Sequence, residues 1–140
     1  MTVQVSFYSD AADPLHFACR LVRRALASGK PVGVCVSAGD AERLDALLWS
    51  FDAAEFIPHR CWDGADAAVA GEVLLVEDAS LLPHRGLLLN LAQDLPGDAL
   101  AFERVLEVVG REPAIVQAGR ARYRSYQQAG ARLDHFSAAG

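Results

Sequence analysis

Two apolar runs near the start of the chain, each followed by a stretch of helical periodicity, limit its fold more than any other feature. Residues 3–8 (VQVSFY) are rich in β-branched and aromatic side chains and read as a strand. A polar turn follows, in which Asp13 and Pro14 supply an N-cap and a proline at the first helical position. Leu15, Ala18, Cys19, Val22, Ala25 and Leu26 then form one helical stripe, which Gly29 closes. Residues 31–36 (PVGVCV) are an unbroken apolar run of the kind buried on both faces of a parallel sheet. Residues 41–49 predict a second helix with Leu44, Leu47 and Leu48 at core spacing.

This βαβα opening sets the class. Residues 72–77, 86–92 and 104–109 read as three further strands, residues 96–102 as a short helix or turn, and residues 113–129 as the last helix. Residues 50–71 break the rhythm. That stretch holds Phe51, Phe56, Ile57, Pro58, His59, Cys61 and Trp62 without periodicity, so it reads as a long connection that is functional or packed on something. The expected architecture is a three-layer α/β domain with a mostly parallel five-stranded sheet and helices on both faces. Residues 1–140 form one domain, with a disordered tail at 137–140.

Several chemistries are excluded or disfavoured by what the loops lack. The turn after the first strand, SDAADP, has no GxGxxG and no GxxxxGK[ST], and its acids would repel a phosphate. A receiver-like phosphoacceptor domain could use Asp10 and Asp78, but no lysine follows the fifth strand. GxSxG is absent. Cys19, Cys35 and Cys61 are far apart and lack CxxC spacing, so they read as buried thiols in a reducing compartment. The four histidines are scattered and give no metal site. No catalytic residue, cofactor or metal is expected. With no signal peptide and no apolar run of membrane-spanning length, the expected location is the cytoplasm. A small receiver-like or nucleotide-binding enzyme domain is the alternative reading.

Charge points to a binding role. The chain carries a formal net charge of -5, which disfavours strong direct binding to nucleic acid. Yet residues 111–132 hold five arginines and one acid, Glu112. Arg120, Tyr123, Arg124 and Gln127 fall at i, i+3, i+4 and i+7 of the last helix and share a face. Guanidiniums beside an aromatic ring suit a carboxylate joined to an apolar side chain.

Three stretches together resemble the chi subunit of bacterial DNA polymerase III: the opening from Phe7 to Val34, AERLDALLWSFDAAEFIPH, and FERVLEVVGREPA followed by GRARYRSYQQAG. The resemblance covers nearly the whole chain. It implies a noncatalytic adapter of Rossmann-like fold that binds no nucleotide. Its implied partners are the acidic C-terminal tail of single-stranded DNA-binding protein and a psi subunit that joins it to the clamp loader. The tail site implied by matching positions is Trp49, Arg120, Tyr123 and Arg124. Arg120 would hold the terminal carboxylate and Arg124 the preceding acids. Trp49 and Tyr123 would flank the penultimate proline and the final ring. Two positions that are basic in other members are Val116 and Gln127 here. The psi-like contact implied is Phe56, with Ile57 and Pro58 beside it.

Overall fold

A computed structural model describes residues 2–51, 56–64 and 71–138. The elements run β1 (Gln4–Ala11), α1 (Pro14–Ala27), β2 (Val32–Cys35), α2 (Ala38–Ser50), β3 (His59–Cys61), β4 (Val73–Val76), β5 (Leu87–Asn90), β6 (Arg104–Gly110), α3 (Pro113–Gln128) and β7 (Arg132–Ser137). Short 3-10 turns lie at Ala79–Leu81 and Ala99–Ala101. The sheet order is β3-β4-β2-β5-β6-β1-β7, and every pairing is parallel.

The expected class holds, with seven strands among the described residues in place of five. The added strands are the two edges. The three-residue β3 lies inside what reads as an irregular connection, whose residues 52–55 and 65–70 fall outside the described residues. β7 (RLDHFS) is polar and almost wholly exposed, so hydrophobic patterning does not mark it. Its pairing with β1 occupies Ser137, and the Ala138 N–H donates to Ser9 O at 2.7 Å. The expected tail is therefore ordered at those two positions; residues 139–140 lie outside the described residues.

Local chemistry sets the helix ends. The His16 N–H donates to Asp13 Oδ1 at 3.2 Å, and Pro14 opens α1. Ser37 caps α2 through the Asp40 N–H, three residues earlier than the apolar spacing alone indicates. Gly130 has φ +82 just beyond α3, a conformation that stops the helix at little cost to glycine.

Two apolar layers enclose the sheet. α1 and α2 pack on one face, where Ala18, Cys19, Val22, Leu44 and Leu48 meet Val34, Leu75, Leu89 and Val108. α3 and the 3-10 turns pack on the other, where Tyr126, Phe102 and Ala99 meet Val5, Phe7, Leu88 and Val109. No helix among the described residues is long and apolar enough to cross a membrane.

Candidate functional site

The carboxyl ends of β1, β6 and β7 open into a pocket of about 450 Å³ beside α3, lined by Phe7, Val109, Val116, Gly119 and Tyr123 and edged by Ser9, Asp10, Gly110, Arg111, Arg120 and His135. Pockets outside the carboxyl ends of parallel strands are the usual binding places of open α/β sheets. The floor is a set of packed rings. Phe7 meets Tyr123 edge-on at 5.1 Å between centroids, and Tyr126 lies behind it at 5.9 Å. Gly119 sets how closely α3 approaches. A Cβ there would stand 3.0 Å from a Val109 methyl, so a larger residue would require Val109 or the helix to give by a few tenths of an ångström.

The rim is electrostatically uneven. β1 loses regular register with β6 between Tyr8 and Ala11, and Asp10 takes a left-handed φ of 63. This turns its carboxylate toward Arg111, whose Nε–H donates to Oδ1 at 2.7 Å. His135 Nε2 lies 2.6 Å from Ser9 Oγ. Arg120 has no carboxylate partner among the described residues. The pocket thus offers an apolar floor, one unpaired guanidinium and one already shared with a carboxylate. Such a site can take an anionic group attached to a ring or other apolar side chain.

The sequence-predicted residues divide between two faces of the sheet. Arg120 and Tyr123 line the pocket, and so does Val116. Arg124 is exposed one turn further along α3, outside the lining residues. Trp49 does not join them. It ends α2, which lies across the sheet from α3, so the expected groove of Trp49 with Arg120, Tyr123 and Arg124 is not formed. Arg122, counted in the basic stretch, is core. Its Nε–H donates to Glu107 at 3.0 Å and its Nη1–H to Gln93 O at 2.8 Å. Glu107 also accepts from the Tyr126 hydroxyl at 2.9 Å and from Asn90 Nδ2. Burial pushes the Glu107 carboxyl upward, against Arg122 and these hydrogen bonds, and pushes the Tyr126 phenol upward too. Arg111 and His135 were missed. Arg111 follows the last residue of β6, a place that flags the carboxyl end of a strand; His135 carries no local signal.

Trp49 belongs to a second surface. Its ring lies 5.4 Å from that of Phe56 and 4.5 Å from that of His59. Trp49 is 55% exposed and Phe56 71%, which makes a two-ring apolar patch. His59 is buried beneath it, with Nδ1 2.7 Å from Ile57 O and Nε2 3.1 Å from Asp45 Oδ1. Ile57, expected beside Phe56 in a contact surface, is instead core at 3% exposure, and Pro58 is half-buried.

The other sequence-level candidates separate as well. Asp10 and Asp78 end β1 and β4, with β2, β5 and β6 between those strands, so the acidic site of a receiver domain is not assembled. Asp78 instead caps the 3-10 turn through Ser80. Cys19 and Cys35 are buried, and burial raises both thiols to about 11. Cys61, expected to be buried, is exposed on β3. No group of three or more metal-ligating side chains occurs among the described residues.

Comparison with known proteins adds a family. The family model described as DNA polymerase III chi subunit matches residues 1–134. A Pseudomonas aeruginosa protein named DNA polymerase III subunit chi is 41% identical over 139 residues, covering 94% of this chain and 95% of its own. Proteins of the same name from Haemophilus influenzae and Escherichia coli are each 30% identical, over 82% and 83% of this chain and 81% and 80% of theirs.

Proposed function

The chain belongs to the DNA polymerase III chi subunit family, and from that premise we propose that it is a noncatalytic adapter with two docking surfaces. The pocket beside α3 takes the acidic C-terminal tail of single-stranded DNA-binding protein. The Trp49–Phe56 patch takes a psi-like component of the clamp loader. The observation that carries the first half is Arg120, which has no carboxylate partner among the described residues, at the rim of a pocket floored by Phe7, Val116 and Tyr123. A tail that ends in an aromatic residue presents an α-carboxylate and a ring on the same residue, which matches a guanidinium beside an apolar wall. Arg111 can leave Asp10 for the preceding acids, and Arg124 adds charge further along the helix. The exposed Trp49 and Phe56 rings support the second half, since neighbouring exposed aromatics are common anchors of protein interfaces.

A labelled peptide with the acidic tail tests the first half by fluorescence anisotropy. Arg120→Ala should weaken it roughly tenfold or more, as loss of a hydrogen bond to a charged group costs about 1.5–3 kcal/mol. Amidating the peptide's C-terminus should do the same, and the two changes together should be less than additive. Equal affinity of the amidated and free-acid peptides would remove the carboxylate clamp.

A further inference from the structure

The sheet has a third surface that neither docking reading uses. α1 covers β2, β5 and β6 and leaves the same face of β1 and β7 open. Side chains on one face of paired parallel strands follow the register, so Gln4, Ser6 and Tyr8 stand beside Arg132, Asp134 and Phe136. The Gln4 amide donates to Asp134 at 2.8 Å, as that placement requires. Three rings meet at the top. Tyr8 stacks on Phe136 at 5.4 Å and 24°, and Phe17 of α1 lies 5.5 Å from Tyr8. Phe136 is 47% exposed.

One guanidinium lies against these rings, and others line the face toward the start of the strands. Arg20 lies over Phe17 at 5.6 Å, and Arg24 is one turn further down the same side of α1. Arg132 starts β7 on this face. Arg104 of β6 donates through Nη2 to Ser6 Oγ, and its Nε has no partner among the described residues. Arg20, Arg24 and Arg132 have no carboxylate partner among the described residues. α1 contains no acid, and Asp134 is the one carboxylate on this face of β1 and β7. Nearby acids are otherwise engaged: Asp13 caps α1 and Glu103 faces Lys30 at 3.5 Å.

We propose that this arginine and aromatic face binds single-stranded DNA, with bases stacked on the Phe136–Tyr8 rings and phosphates on Arg20, Arg24 and Arg132. Stacked rings next to positive charge are the usual platform for unpaired bases. A duplex hides its base faces, and a purely acidic peptide such as polyglutamate would use the arginines without the rings. The chain's net charge of -5 makes the contact weak and salt-sensitive.

The test uses the full chain and a fluorescein-labelled oligothymidylate of about 15 nucleotides, read by anisotropy. Binding is expected at about 50 mM salt and should weaken roughly twentyfold by about 200 mM if three phosphates are neutralised. Arg20→Glu with Arg24→Glu should abolish it. Phe136→Leu, which keeps apolar area in the strand, should weaken it about fivefold or more, with the circular dichroism spectrum unchanged. Polyglutamate should compete poorly. Absence of binding at low salt, indifference to Phe136→Leu, or equal displacement by polyglutamate would each overturn the proposal, the last in favour of an acidic peptide.

Discussion

Arg122→Leu should destabilise the fold severely while leaving tail binding intact. Arg120, Arg122 and Arg124 alternate along α3, yet only Arg122 is buried, at 3% side-chain exposure, against a Glu107 side chain at 0%. Removing the guanidinium leaves a carboxylate with Asn90 and Tyr126 as its remaining donors. Breaking one side of a buried ion pair costs about 3–5 kcal/mol, a large part of the roughly 5–15 kcal/mol that holds a domain together. The loss should depend on pH. Without Arg122, burial acts on Glu107 with less opposition, so the folded carboxyl titrates higher still. A raised folded pKa gives stability that is fully present below the unfolded value, near 4.5, and lost as pH rises through the folded value. The variant should therefore close part of its gap to the wild type on acidification from neutral pH. Replacing Glu107 by leucine as well should recover part of the loss, limited by the Tyr126 hydroxyl and Asn90 amide left without their acceptor. Urea denaturation followed by circular dichroism measures all three. A loss below about 1 kcal/mol, or lost peptide affinity at unchanged stability, would refute the assignment of Arg122 to the core.

Phe56→Ala should change stability by no more than about 0.5 kcal/mol yet abolish a complex with a psi-like partner, whereas Ile57→Ala should cost about 2–5 kcal/mol; thermal melts and co-purification separate the two. His84 titrates below its usual 6.5 because burial disfavours its charged form, and its Nδ1 accepts the Gly86 N–H at 3.1 Å. A depressed histidine contributes stability above the unfolded pKa that is lost as pH falls through the folded one, so part of the acid sensitivity below about pH 6.5 should vanish in a His84→Gln variant assayed by urea midpoint. Of the three thiols, only Cys61 should react rapidly with a thiol reagent in the native protein, and Cys61→Ser should remove that fast phase.

The layer arrangement was legible because it rests on local signals: strand runs, a proline-led N-cap and glycine stops. The edge strands were not, since β3 is three residues long and β7 keeps its polar residues in solvent on both faces. At the pocket, helical spacing put Arg120 and Tyr123 together correctly. The same spacing says nothing of Glu107, which lies on another element and takes Arg122 into the core. Trp49 was misplaced for a topological reason. Whether α2 and α3 share a face depends on how the chain crosses the sheet, and no residue near Trp49 carries that information. Ile57 and Phe56 are adjacent and both apolar, yet one side chain enters the core and the other faces solvent, a division that apolar character alone does not predict.

That division of surfaces bears on how an adapter would work. The α3 pocket and the Trp49–Phe56 patch lie on opposite sides of a closely packed parallel sheet. The two sets of residues do not overlap, so a tail and a clamp-loader partner would not compete for the same side chains. Energetic coupling would need an element with two arrangements that both ligands bias. The route between the sites runs through β6, β5 and β2, whose side chains are buried on both faces, and through the Glu107–Arg122–Tyr126 network that clamps α3 to β6. A network of that kind resists graded movement. For an adapter of the proposed kind the fold therefore favours two independent grips over a switch: each partner would bind with its own affinity, and the rigid sheet would supply the connection between them.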